Sequence, residues 1–129
     1  MKENTCCFTG HRAIDGGDLE PLTEQLDRQI ELHYMCGVTD FCAGGALGFD
    51  TLAAKRVLKY ACGHYTDFCM GKRNQMLVNA SSVCLAYLKT KAGGTAYTVR
   101  FAKSRGVKVI NLADELSPFP KFENLKFDI

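Results

Sequence analysis

The chain lacks several features that mark whole classes of protein. It has no tryptophan and only three prolines among 129 residues. Its longest run without a charged residue, 74–88, is too short and too polar to span a bilayer. Residues 1–12 contain no apolar stretch of the kind that a secretory signal requires. We therefore expect a cytoplasmic protein that has no association with membranes.

The seven cysteines do not form a recognisable motif. No two of them have C-x-x-C spacing, and their odd number argues against a complete disulfide framework. Several lie in apolar segments, where a reduced thiol behaves as a small hydrophobic group. Cys62, His64 and Cys69 come nearest to a metal cluster, but zinc ligands usually occur in tighter pairs. We expect reduced thiols, a reducing compartment and no metal site.

The length and composition suit a single folded domain. Two halves of this chain would each be too small for a good core. Apolar residues make up 47% of the chain and charged residues 23%, which excludes disorder, collagen-like repeats and coiled coil as the main state. We predict one domain over residues 1–112. Residues 113–129 place aromatic side chains among charges and hold two of the three prolines. We expect this tail to pack on the domain or on a partner.

Predicted strands and helices alternate along the domain. Apolar or β-favouring runs predict four strands, at residues 5–9, 38–43, 83–88 and 107–112. Apolar residues at helical spacing follow each of the first three runs, as in Leu22, Leu26, Ile30 and Tyr34. Residues 65–69 show no regular pattern, and a short helix is expected over 70–77. This order favours an α/β fold with a small, mainly parallel sheet of about four strands.

Positive charge is concentrated in the middle of the chain, although the net charge is only +2. Residues 1–54 carry 3 basic and 9 acidic side chains, whereas residues 55–108 carry 11 basic and 1 acidic. An anionic partner such as a phosphate group, a nucleic acid or an acidic protein face would explain the central block. Solvated helix faces explain it equally well, and both interpretations stay open.

A glycine-rich loop, GGALG, lies between the second predicted strand and a helix. Gly44, Gly45 and Gly48 have no β-carbon, so the backbone can turn tightly and bring its N–H groups to an anion at the helix N-terminus. The loop is neither the dinucleotide fingerprint nor a P-loop. Asp50 falls in the first turn of the helix, where it either caps the helix or holds a ribose hydroxyl.

Two further loops are expected at the same edge of the sheet, where parallel α/β folds bind ligands. The first strand ends in Thr9, Gly10, His11 and Arg12, which offer a hydroxyl, a close backbone approach and a phosphate-binding guanidinium. His11 in such a place is more often a hydrogen-bonding loop residue than a catalyst. The third strand is followed by a loop-to-helix segment whose alternative role is a tight turn. Its candidate residues are Gly93, Gly94, Thr95 and Thr98. A polar triplet near the start of the short helix adds Lys72, Arg73 and Asn74 as further candidates.

Four segments resemble a known family. TCCFTGHR, GGALGFDTLAA, HYTDFCMGKRNQMLV and GGTAYTVRFAKSRGVKVINL are similar to the YpsA-like family of the SLOG superfamily, over residues 5–12, 41–60 and 64–112. The superfamily includes the DNA-processing protein DprA and the LOG-type phosphoribohydrolases. The resemblance implies a Rossmann-like three-layer sandwich and a pocket for a nucleotide-derived ligand, such as a mononucleotide, NAD or ADP-ribose. It maps TGHR, GGALGFD, KRN and GGT onto that pocket.

The chain departs from this family in two ways. Residues 58–60 are followed almost at once by residues 64–66, whereas family members usually have a segment there of about the size of a βαβ unit, ~30 residues. The sheet is therefore expected to lose strands and the pocket one wall. LOG-type hydrolases also carry a glutamate on a helix that corresponds to the one after Gly93 and Gly94, where this chain has Thr98 or Arg100. Cleavage between sugar and base is disfavoured, because its oxocarbenium-like transition state needs a nearby negative charge.

These observations favour a binding or sensing module for a phosphorylated nucleotide derivative. A nucleotide N-glycosidase or phosphohydrolase is one alternative, with His11 and Asp50 as weak acid/base candidates. A binder of single-stranded nucleic acid, like DprA, is another, but aromatic residues are not interleaved with the basic ones as stacking would require. The last alternative is a structural or regulatory partner protein that lost ligand binding when the middle segment was deleted. Because members of the superfamily commonly pair, we favour a homodimer.

Overall fold

The computed structural model describes residues 2–71 and 73–116, and these form an α/β sandwich of three layers. The strands are β1 (Thr5–Gly10), β2 (Asp40–Ala43), β3 (Asp67–Met70), β4 (Val83–Tyr87) and β5 (Lys108–Asn111). The helices are α1 (Leu19–Met35), α2 (Phe49–Ala61), α3 (Asn74–Asn79) and α4 (Gly94–Ser104). The sheet order is β3-β2-β1-β4-β5, with every neighbouring pair parallel. The predicted fold class is confirmed.

The described sheet has five strands, one more than the sequence predicted. The additional strand is β3, which pairs in register with β2 at the sheet edge. Asp67, Cys69 and Met70 are all exposed on it, so the strand carries no buried apolar pattern that a sequence could show. The expected helix over 70–77 was also placed too early, because Met70 ends β3 and α3 begins at Asn74.

The larger part of the core lies between the sheet and helices α1 and α2. Leu22, Leu26 and Ile30 are fully buried there, as their spacing predicted. The prediction that Tyr34, the fourth residue of that series, faces the core was wrong, because His33 is buried instead. A helix has 3.6 residues per turn, so a strict spacing of four drifts away from the core over three turns.

A smaller apolar cluster lies on the other face, beneath α3 and α4. Cys7, Cys42 and Cys84 belong to it, which agrees with their interpretation as small hydrophobic residues. No described cysteine is in a disulfide. Within residues 2–71 and 73–116, no three metal-ligating side chains come together. None of the helices in the described part of the chain has the length and apolarity that crossing a bilayer requires.

The chain leaves the sheet through a short 3-10 helix, Leu112–Leu116. Leu112 is fully buried, and Ala113 and Leu116 pack against the larger core cluster beside α1. The predicted tail therefore begins on the domain. Its remaining residues, 117–129, lie outside the described residues.

Candidate functional site

A cavity of about 510 Å³ opens at the carboxyl ends of β1 and β4, beside the N-termini of the helices that follow. All four predicted segments contribute to it. Its lining residues are Thr9, Gly10, His11, Arg12, Ala13, Ala46, Asp50, Asn74, Thr90, Ala92, Gly93, Gly94 and Thr95. Arg12 and Asp50 are the charged side chains among these described lining residues. The cavity thus lies where parallel α/β folds bind ligands.

Several predicted site residues do not line this cavity. Gly44, Gly45 and Gly48 belong to the adjoining loop, and Arg73 is exposed outside the lining. Thr98 is buried beneath the helix surface, where its hydroxyl donates to the Gly94 carbonyl at 3.0 Å. Lys72 lies outside the described residues. Thr98 therefore stabilises the first turn of α4 and does not reach the cavity.

Two predicted glycines are required by packing between loops. A β-carbon on Gly10 would lie 2.4 Å from the Phe49 ring, and one on Gly48 would lie 2.0 Å from the Arg12 carbonyl oxygen. Gly48 also has φ +78°, which side-chain-bearing residues rarely adopt. The carbonyl of His11 accepts the Phe49 N–H at 3.1 Å. The TGHR and GGALG loops are thereby held against each other, and this contact forms one side of the cavity.

Asp50 is the buried carboxylate of the site. Asp50 is only 5% exposed, and its Oδ2 accepts the Ala46 N–H at 3.1 Å. Oδ1 is buried and has no hydrogen-bond partner among the described residues. Burial raises the pKa of Asp50 to about 6, although the nearby amides of Ala46, Gly45 and Gly44 favour its charged form.

This arrangement changes the interpretation of the glycine-rich loop. The sequence pattern offers the loop N–H groups to a phosphate, but the structure directs them to the carboxylate of Asp50. A negatively charged ligand placed at the same amides would meet that carboxylate. The loop therefore positions Asp50, and phosphate binding falls to other groups of the cavity.

The N-terminus of α4 is one such group. Gly93 precedes the helix with φ +102°, and Gly94 begins the 11-residue helix. The first amides of a helix have no intrahelical acceptor, and the helix dipole adds positive potential at that end. Gly93, Gly94 and Thr95 all line the cavity. This end of α4 therefore offers an anion site, and Arg12, which makes no ion pair with a described residue, lies on the same cavity.

His11 is tied into the loop structure. Its Nε2 accepts the Lys89 N–H at 2.8 Å, so in this arrangement the ring proton resides on Nδ1. The ring packs edge-on against Tyr87 with centroids 5.8 Å apart. The backbone N–H of His11 donates to the Tyr87 carbonyl at 3.2 Å. Action as a base through Nε2 would break one of these contacts, so the geometry favours the structural role for His11.

A polar network that sequence reasoning missed supports the TGHR loop. The buried Tyr87 hydroxyl donates to Asp18 Oδ2 at 2.7 Å and accepts the Asp15 N–H at 3.3 Å. Lys89 Nζ donates to both carboxylates, at 2.8 Å in the case of Asp18. Hydrogen bonds from Lys89 and Tyr87 lower the pKa of Asp18. Because these partners are about 70 residues apart in the chain, no local pattern signals the network.

No family model matches the chain, and no curated protein matches it. The YpsA-like resemblance stays a prediction.

Proposed function

We propose that this protein binds a nucleotide or nucleotide-derived phosphorylated ligand in the cavity and acts as a binding or sensing module. One observation carries the proposal: Arg12, the N-terminus of α4 and the buried Asp50 border the same space of about 510 Å³. Its volume falls within the range of small-molecule sites, roughly 300–1,000 Å³. A cation, a helix N-terminus and an acceptor match the phosphate and ribose of such a ligand.

Hydrogen-bond donors at one end of the cavity and the Asp50 acceptor at another would orient the ligand. Its phosphate lies at the α4 end, where helix amides and Arg12 supply donors and positive potential. A ribose hydroxyl donates to Asp50 Oδ1, the buried acceptor that has no described partner. Such a bond removes the cost of an unpaired buried oxygen, roughly 1–3 kcal/mol.

The test compares two arginines. The protein is titrated with AMP, ATP, NAD and ADP-ribose by calorimetry and by thermal shift, since a ligand at about 100 times its Kd stabilises the fold by roughly 2.7 kcal/mol. Arg12→Ala should weaken binding at least about tenfold, because it removes a charge-assisted phosphate contact. Arg28→Ala is the matched control, since Arg28 is exposed on α1 and does not line the cavity. Equal affinity of the Arg12 variant and the wild type would contradict the proposal, as would the absence of binding by every nucleotide.

A nucleotide-processing hydrolase is the second candidate function, and Asp50 is the observation that favours it. Its carboxyl is buried beside the cavity, and its pKa of about 6 is near the pH at which a general acid or base works best. Against this function, Thr98 and Arg100 occupy the part of α4 where LOG-type enzymes carry a glutamate, and neither is a carboxylate. Chromatography of nucleotides incubated with the protein decides the matter. Release of base or phosphate that Asp50→Asn abolishes supports the enzyme, whereas unchanged nucleotides exclude it for the panel tested.

A further inference from the structure

Four cysteines form a row across the sheet, which we call the thiol row. The strand register aligns Cys84 with Cys7, Cys7 with Cys42, and Cys42 with Cys69. Aligned residues of neighbouring parallel strands project from the same face, with the strands about 4.8 Å apart. That face is the one covered in part by α3 and α4.

The thiol row is open to solvent at one end. Cys84 and Cys7 are 0% and 1% exposed, and Cys42 is 4% exposed. Cys69, on the edge strand β3, is exposed. A small oxidant in solution therefore meets Cys69 first, and the next thiol along the row is that of Cys42.

Cys42 and Cys69 also line one cavity of about 410 Å³, which shares no lining residue with the proposed nucleotide site. The Cys42 thiol lies 3.8 Å from the Cys6 carbonyl oxygen and 3.9 Å from Ser81 Oγ. Cys42 and Cys69 thus border the same volume, which is large enough to admit a peroxide molecule.

We propose that Cys69 and Cys42 form an oxidation site for peroxides, in which Cys69 is the reacting thiol and Cys42 the resolving thiol. The Cys69 thiolate attacks one oxygen of hydrogen peroxide, the O–O bond breaks, and Cys69 becomes a sulfenic acid while the other oxygen takes up a proton from solvent and leaves as water. Cys42 then attacks the sulfenic sulfur, the S–O bond breaks, and a second water leaves with the Cys42 proton. The two thiols lose two electrons in total, which the two peroxide oxygens take up.

The geometry singles out this pair among the exposed thiols. The strand spacing of about 4.8 Å falls within the Cα separations that disulfides span, roughly 4.4–6.8 Å. β3 has a strand partner on one side in the described sheet, so its backbone has room to adjust. The two other exposed cysteines, Cys36 and Cys62, lie beyond the C-terminal ends of α1 and α2 and are aligned with no described cysteine.

The test maps thiols in the full chain after exposure to hydrogen peroxide. Reduced protein is oxidised, the remaining thiols are alkylated, and linked tryptic peptides are sequenced by tandem mass spectrometry. Fragmentation is needed because the tryptic peptide 29–55 contains both Cys36 and Cys42, and the peptide 60–72 contains both Cys62 and Cys69. We expect a linked pair of peptides carrying Cys42 and Cys69, lighter by two hydrogens and separated by a reductant. In Cys42→Ser, Cys69 should instead be trapped by dimedone as sulfenic acid and pass on to sulfinic acid. The control Cys36→Ser/Cys62→Ser should keep the linked peptides in unchanged yield.

Two results would overturn the assignment. One is over-oxidation of Cys69 in the wild type at the rate seen in Cys42→Ser. The other is linkage of Cys69 to Cys36 or Cys62. Should Cys42→Ser fail to fold, Cys69→Ser on the protein surface serves instead: it must abolish the linked peptide and leave Cys42 in its thiol form. None of these measurements depends on nucleotide binding.

Discussion

Asp50 ionises at a cost to the folded state. Burial raises its pKa from 3.8 to about 6, so between these values the folded protein holds a proton that the unfolded chain releases. Because the folded state binds more protons in this window, the contribution of Asp50 to stability falls as pH rises from about 4 to about 6. The full change corresponds to about 3 kcal/mol.

We predict that Asp50→Asn removes this pH dependence. Urea unfolding of both proteins at several pH values between 4 and 7 isolates the effect, because all other titrating groups are shared. The free energy of unfolding of the wild type should decline relative to that of the variant as pH rises, by up to about 3 kcal/mol. Parallel plots of unfolding free energy against pH for the two proteins would show that burial does not raise the pKa of Asp50.

Gly48 is a position at which only glycine fits. Gly48→Ala combines a positive φ with a β-carbon 2.0 Å from the Arg12 carbonyl oxygen, so we predict a loss of at least about 2 kcal/mol in unfolding free energy. Gly17→Ala is the matched control, since a β-carbon there meets nothing within 4 Å. It should change stability by less than about 1 kcal/mol. Denaturation midpoints of the two variants test the pair, and equal midpoints would refute the steric argument.

At the scale of elements, Tyr87 connects β4 to the loop before α1. Its fully buried hydroxyl bonds both Asp18 and the Asp15 N–H. Tyr87→Phe leaves these groups with fewer partners, so we predict a loss of about 1–2 kcal/mol in unfolding free energy at neutral pH. Urea unfolding measures it, and Tyr65→Phe is the control because Tyr65 is 73% exposed.

The pH dependence of the Tyr87→Phe effect follows from Asp18. Hydrogen bonds from Lys89 and Tyr87 lower the pKa of Asp18. Stability from a lowered carboxyl pKa is present above the unfolded value of 3.8 and is lost as pH falls through the folded value. The destabilisation by Tyr87→Phe should therefore be larger at pH 7 than near pH 3. A difference that grows on acidification would contradict this account.

The position of β3 shows what an element gains from its neighbours. Residues 67–70 have no pattern of their own, but the outer edge of β2 offers unpaired backbone groups, and β3 satisfies them. After β3, the Gly71 N–H donates to the Ala43 carbonyl at 3.0 Å, which directs the chain toward α3 and Asn74. The described sheet therefore has a fifth strand at this edge, whereas the resemblance led us to expect about four strands.

At the scale of the whole molecule, α3 and α4 carry no acidic side chain, whereas the opposite face carries charges of both signs, with Lys55, Arg56 and Lys59 on α2. The acidic side chains of α1 are Glu20, Glu24, Asp27 and Glu31, and α1 lies on the face opposite α3 and α4. No acidic residue occurs between Asp67 and Asp114. On α4, the rings of Tyr97 and Phe101 stack with centroids 6.5 Å apart, and the Arg105 guanidinium lies 5.0 Å from the Phe101 centroid. The spacing of four residues along α4 thus brings Tyr97, Phe101 and Arg105 together on one side of the helix.

This surface leads to a prediction about nucleic acid. If single-stranded DNA binds, Tyr97→Ser should weaken it about tenfold, since stacking on an aromatic ring contributes roughly 1–3 kcal/mol per base. Tyr65→Ser is the control, because Tyr65 is exposed on another part of the surface. Fluorescence anisotropy of a labelled oligonucleotide at two salt concentrations measures the effect, and affinity should fall steeply with salt. Binding that is insensitive to both salt and Tyr97 would exclude this surface.

The amino-acid sequence alone predicts the α/β class, four of the strands and the edge of the sheet at which the candidate residues lie. These features follow from local patterns: apolar runs, helical spacing and glycines that follow strands. The bond between His11 and Lys89, which are 78 residues apart in the chain, has no local signal and depends on the tertiary structure. The tertiary structure also placed β3 at the sheet edge and aligned the thiol row. The reason is physical: the candidate residues share an edge because of strand order, whereas the partner of each polar group depends on which loops and strands pack beside it.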